Sequence, residues 1–219
     1  MIADTIHSIE QQLAGKAKLI AVTKTKPVTL LQEAYDAGCR RFGENKVQEM
    51  VEKQPQLPID IEWHLIGHLQ TNKVKYIAPF VALIQSIDSL KLLQEVNKQA
   101  ARYNRVIDCL LQIHIADEET KFGLSPEEAE ILLNTPELDD LQHIRLIGLM
   151  GLATNTDDEE QIRREFRGLK QLFDQLAEIK RFNVAFQELS MGMSGDYQIA
   201  VEEGSTMVRV GSAIFGSRF

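Results

Sequence analysis

The chain has 219 residues, with 24 basic against 32 acidic side chains and a net charge of −8. At 44% hydrophobic and 26% charged it has the composition of a globular protein with a sizeable core, so a single domain over residues 1–219 is expected. The acidic balance excludes a general affinity for nucleic acid or for an anionic membrane surface, both of which need a basic face, but leaves room for a local basic pocket.

Cys39 and Cys109 show no CxxC spacing and read as reduced thiols. The first fifteen residues lack a signal peptide's apolar centre, and the longest apolar run, Leu146–Ala153, is too short to span a bilayer. A soluble, cytoplasmic protein is expected.

The residues before Lys18 look like an extra leading helix. The first strand, Lys18–Thr23, runs directly into Lys24. An amine at the end of an apolar strand can be partly desolvated, lose its proton more readily and act as a nucleophile. A surface or snorkelling lysine is the commoner outcome at such a position, and Lys26 is a rival. The second strand, Arg40–Gly43, has the weakest pattern. Gly43 and Asn45 suit a tight strand-to-helix turn, and Asn45 reads equally as a ligand-facing amide.

The third strand, Ile61–Ile66, carries His64 between apolar neighbours. It is either a satisfied core histidine or an inward ring set against a planar ligand. A metal pair with His68 would need a helix and matching carboxylates, so no metal is expected. His68 and Lys73 belong to the loop and helix that follow. The fourth strand, Val81–Gln85, precedes a helix capped by Ser89, with Leu90, Leu93 and Val96 on one face. After the fifth, Val106–Ile113, the charged stretch Glu118–Lys121 and then Phe122-Gly123 read as a solvated loop without a catalytic carboxylate pair.

Ser125-Pro126-Glu127-Glu128 opens the next helix with a capping box and proline in its first turn. The sixth strand, Ile144–Met150, ends in Gly151, which would let backbone approach a ligand. Thr156 and Glu159 form a second capping box before an apolar stripe of Ile162, Phe166, Leu169, Phe173, Leu176 and Ile179. The seventh strand, Val184–Leu189, runs into Ser190-Met191-Gly192-Met193-Ser194-Gly195-Asp196. The eighth, Met207–Val210, runs into Gly211-Ser212-Ala213.

Strands alternating with helices imply parallel pairing, and eight of them in this length fit a closed (β/α)₈ TIM barrel with an extra N-terminal helix. An open doubly wound sheet is the alternative. Its dinucleotide form would place GxGxxG where this chain reads Thr23-Lys24-Thr25-Lys26-Pro27. Barrels carry their chemistry at the strands' carboxyl ends. Small residues and hydroxyls after strands seven and eight are what such a fold uses to cradle a phosphate through backbone N–H groups and serine donors. Two ordinary Ser/Gly turns are the competing reading.

Six blocks carry a closer likeness: AVTKTKP, RFGENKVQE, EWHLIGHLQTNK, GLMGL, LSMGMSGD and GSTMVRVGSAIFG, spread from residue 21 to residue 216. In this order they resemble the pyridoxal phosphate homeostasis proteins, the YggS/PROSC family. These are similar in turn to the barrel domain of alanine racemase and other fold type III pyridoxal 5′-phosphate (PLP) proteins. The resemblance implies that Lys24 forms the imine with PLP. It implies that Ser190, Gly192, Gly211 and Ser212 hold the phosphate with Met191 and Ser194 close by, that Arg209 faces the pyridine nitrogen, and that Asn45, His64 and Met150 line the ring or its entrance.

An arginine cannot accept a proton, so the ring nitrogen would stay neutral and strong carbanion stabilisation would be disfavoured. Racemases of this fold also use a tyrosine base from a second domain across a dimer. This sequence ends at Phe219 without such a domain, and Tyr35, Tyr76, Tyr103 and Tyr197 fall on or near predicted helices. The resemblance therefore implies vitamin B6 (PLP) homeostasis, and through it amino-acid and keto-acid balance, without robust catalysis. A PLP-dependent amino-acid racemase is the alternative, and a Schiff-base aldolase lacks paired acid/base groups near Lys24. The expected partners are PLP and PLP-dependent apoenzymes, with no nucleic acid and no membrane, and the expected state is a monomer.

Overall fold

The computed structural model describes residues 1–117 and 122–216. The charged stretch Glu118–Lys121 and the last residues through Phe219 lie outside them. The chain order is α1 (Ile2–Leu13), β1 (Lys18–Val22), α2 (Val28–Asp36), β2 (Arg41–Glu44), α3 (Val47–Lys53), β3 (Glu62–Leu65), α4 (Val74–Ile77), β4 (Leu83–Ile87) and α5 (Leu90–Arg102). It continues with β5 (Ile107–Ile113), α6 (Pro126–Asn134), β6 (Ile144–Gly151), α7 (Glu159–Leu176), β7 (Val184–Met193), α8 (Tyr197–Glu202), β8 (Met207–Val210) and α9 (Ser212–Phe215).

The eight strands pair in parallel in sequence order, and β8 closes on β1 through Lys18↔Met207, Leu19↔Val208, Ile20↔Arg209 and Ala21↔Val210. This is the expected (β/α)₈ barrel, and all eight expected strands are present. Closure rests on the two-residue alternation of strand side chains. In β8, Val208 and Val210 point out to the helices, while Met207 packs inside with Ile20, Leu83, Leu110, Ile147 and Met150. Arg209, between the two valines, is thereby aimed into the barrel.

The helices form as their caps and faces dictate. Ser89 accepts from Leu92 N–H, and Ser125 with Glu128 makes a complete capping box. The expected cap of α7 needs correction. Asp158 is its N-cap, accepting from the N–H groups of Glu160 and Gln161, while Thr156 holds the N–H of Asp158. Below it Ile162, Phe166, Leu169 and Leu176 bury the expected stripe. The leading helix α1 buries Ile6, Ile9 and Leu13. Its Gln12 accepts from the Tyr197 hydroxyl at 2.6 Å and the Gln198 amide at 2.7 Å, tying it to α8. Among the described residues no helix is long and apolar enough to cross a membrane.

Candidate functional site

At the strands' carboxyl ends the barrel opens into a cavity of about 500 Å³. Lys24, Asn45, Ser194, Arg209, Gly211 and Ser212 line it, drawn from the ends of β1, β2, β7 and β8. Val22, Ile66, Leu152, Met193 and Gly195 complete the lining. The four side chains among these are apolar and resemble any strand-end residue in sequence. Only their inward register marks them.

Arg209 is 3% exposed. Its guanidinium donates to the Ser190 hydroxyl at 2.5 Å and to the Gly151 carbonyl at 2.8 Å. A guanidinium only donates, which fixes the direction of every bond behind it. Ser190 Oγ accepts from Arg209, so its proton goes to Gln85 Oε1 at 2.6 Å. The Gln85 NH₂ then faces His64 Nδ1 at 3.0 Å, and that nitrogen accepts. Burial, with Arg41 and Lys18 adding to it, lowers His64 to about 3, so the ring is neutral. Burial also lowers Arg209 to about 10, with Asp196 opposing, which leaves it cationic at neutral pH.

Ser190 and His64 thus lie one layer below the cavity, as a brace for Arg209 rather than as its lining. The His64 ring faces a second cavity of about 290 Å³ at the amino ends of the strands, beside Lys18, Arg41 and Glu62. Met150 does not reach the carboxyl-end cavity either, being fully buried in the barrel interior beside Ile147 and Met207. Met191 points outward into the helix-facing core. Gly192 has φ +97°, and a Cβ there would stand 2.6 Å from Ala200 Cβ and 2.9 Å from Tyr197 Cα. The glycine is required by the packing of α8 against β7.

The two loops after β7 and β8 are tied by Ser194, whose hydroxyl accepts from the N–H groups of Gly211 at 3.2 Å and Ala213 at 3.4 Å. A Cβ on Gly195 would meet no atom within 4 Å, so its missing side chain leaves open space in the cavity's lining.

Beside these loops, past the β8–β1 closure, Lys24 is the second residue of a turn closed by the Lys26 N–H on the Thr23 carbonyl at 3.1 Å. Thr25 takes φ +63° to complete it. The amine of Lys26 donates to the carbonyls of Phe215 and Gly216 at 3.1 and 3.0 Å, at the end of α9. Of the two rivals it is Lys24 that lines the cavity. Asn45 is set by its neighbour Gly67, where a Cβ would lie 2.2 Å from the Asn45 carbonyl oxygen.

Among the described residues no tyrosine lines the cavity. The hydroxyl of Tyr35 is bonded to Asp60 and that of Tyr197 to Gln12. One amine, one buried guanidinium, an amide, two hydroxyls and flanking apolar side chains suit a planar anion that carries an amine-reactive group.

The chain matches the alanine racemase N-terminal domain over residues 1–219. It is 42% identical to the pyridoxal phosphate homeostasis protein of Aquifex aeolicus, over 92% of this chain and 87% of that one. It is similar to the structure of PipY of Synechococcus elongatus with PLP bound, at 35% identity and a TM-score of 0.90, covering 99% of this chain and 100% of the other. An alanine racemase of Clostridium difficile shares the fold at 18% identity and a TM-score of 0.78, over 56% of its own length.

Proposed function

Because this chain belongs to the pyridoxal phosphate homeostasis family, within the alanine racemase N-terminal domains, we propose that it binds PLP and serves vitamin B6 homeostasis rather than turning over a substrate. Amino-acid and keto-acid balance follows from that role. The observation that carries the proposal is the convergence of Lys24, Arg209, Ser194 and Ser212 on one cavity. PLP supplies an aldehyde that condenses with an amine and a ring that withdraws electrons. Lys24 is the covalent anchor, as a Schiff base.

Arg209 offers donors alone to the ring nitrogen and holds its own proton at neutral pH. Gly211 and Ser212 form the phosphate cradle, with Ser194 holding the turn in shape and Gly195 leaving room. Asn45, Ile66 and Leu152 complete the cavity's lining. A racemase needs a second acid/base opposite the lysine, and the described lining includes none. The protein acts as one cytoplasmic domain, as a monomer, and passes PLP to dependent apoenzymes.

The test is spectroscopic and chemical. Purified protein mixed with PLP should turn yellow, and borohydride should fix the cofactor to the peptide containing Lys24. Lys24→Ala should abolish the covalent label while keeping some phosphate-anchored cofactor, and pyridoxal without phosphate should bind far more weakly. Label on Lys26, equal affinity for the two vitamers, or robust alanine racemisation lost in Lys24→Ala would each overturn part of this reading.

A further inference from the structure

Two peptide bonds join Lys24 to the chain, and each is held from behind by a charged side chain that does not line the cavity. The carbonyl of Thr23 accepts from the Lys53 ammonium at 2.9 Å. The N–H of Thr25 donates to the Glu49 carboxylate at 2.7 Å. Lys53 and Glu49 sit one turn apart on α3 and are paired with each other at 3.0 Å. Lys53 also bonds Glu44 at 2.7 Å, and Glu44 accepts from the Thr23 hydroxyl at 2.6 Å. The network closes on itself around Lys24.

Two features set it apart from an ordinary ion pair. Lys53 is 8% exposed and Glu44 is fully buried, so two charges have been taken out of water where an apolar pair would pack at less cost. Desolvation raises the Glu44 pKa despite the pull of Lys53 and Thr23. The turn itself holds a β-branched residue, Thr25, in the left-handed region. Such a conformation persists only where its surroundings over-determine it. Here the bond from Thr25 N–H to Glu49 is one such constraint.

Resting on the PLP reading above, we infer that Lys53, Glu49 and Glu44 are positioning residues for Lys24. They fix the peptide planes on either side of it, and with them the direction in which its amine leaves the turn toward the cavity.

The experiment follows PLP capture by the full chain in the parent, Glu49→Gln and the double variant Glu44→Gln/Lys53→Met. Glu49 is partly exposed, and the double variant removes both buried charges together, so the barrel should survive in each. Captured cofactor is trapped with borohydride over time and the labelled peptides are resolved. Both variants should trap PLP at Lys24 about tenfold more slowly, the scale of a weakened charge-assisted bond, and should move part of the label to Lys26. In a Lys24→Ala background Glu49→Gln should leave non-covalent PLP retention unchanged. A folded Glu49→Gln that traps at the parent rate with all label on Lys24 overturns the inference. So does an equal loss of retention in the Lys24→Ala background, which would mark a merely structural role. A parent that traps no PLP at Lys24 overturns the underlying reading and takes this one with it.

Discussion

The wall built by β7 and β8 braces Arg209 through neutral groups, Ser190, Gln85 and His64, whereas the wall built by β1 and β2 braces the Lys24 turn through charges, Lys53, Glu44 and Glu49. The neutral chain has one possible direction and adds no charge of its own to the interior. The charged cluster is costlier: among the described residues Glu44 Oε2 is buried without a hydrogen-bond partner, and Lys53 and Thr23 offset the burial of the carboxylate. The contrast teaches that a charged brace fails abruptly when one member is lost, while a neutral brace loosens.

The largest expected effect tests that abruptness. Lys53→Met strands a buried carboxylate and should lose about 3–5 kcal/mol of stability in a denaturant titration, because breaking a buried pair costs more than removing both partners. Adding Glu44→Gln should recover most of the loss. If the double variant is as unstable as the single one, charge burial is not what makes this wall brittle.

The neutral wall should respond less. Ser190→Ala removes an acceptor from Arg209 and a donor to Gln85 at one stroke. A loss of about 1.5–3 kcal/mol is expected, with the barrel retained. Because Arg209 then keeps only the Gly151 carbonyl among these acceptors, PLP should also be held less firmly. Retention equal to the parent's would dissociate the brace from the cavity.

The last effect is a gradual dependence on acidity, and its sign differs between the walls. His64 is lowered to about 3 in the folded protein from an ordinary 6.5. Below pH 6.5 the unfolded chain binds a proton there that the folded chain refuses, so stability falls with falling pH, by at most ~1.4 kcal/mol per pH unit until about pH 3. Glu44 is raised instead, so the folded state takes its proton first and acid relieves that wall. Unfolding measured from pH 7 to pH 5 should show a shallower acid loss in His64→Leu than in the parent. Identical slopes would mean that His64 is not the group responsible.

Most of the fold was legible because strand and helix periods differ and each element carried its own signal. The weak one, Arg40–Gly43, was obscured by its polar ends; the strand is Arg41–Glu44, and Glu44 is a buried carboxylate where an apolar residue is expected. Lys24, Asn45, Ser194, Arg209, Gly211 and Ser212 line one cavity because strand-end motifs gather at one end of a barrel. The same motifs also named Ser190, Met191 and Gly192, which lie outside that cavity's lining. A motif marks a contiguous segment, whereas successive strand residues face opposite sides and different depths. Gln85 closes the run of the fourth expected strand, and no sequence pattern singles out Lys53 or Glu49. Only the closed barrel brings them behind the Lys24 turn and Arg209.

Gly67 lets the loop after β3 press into space beside the Asn45 carbonyl that a single methyl group would fill. The loops that follow β2 and β3 are therefore one exchangeable module rather than two. Grafting either alone from a related barrel would bring together a pair of surfaces that were never fitted to each other, even where neither graft alters a cavity side chain. Recombination or design at this rim has to move both loops as a unit.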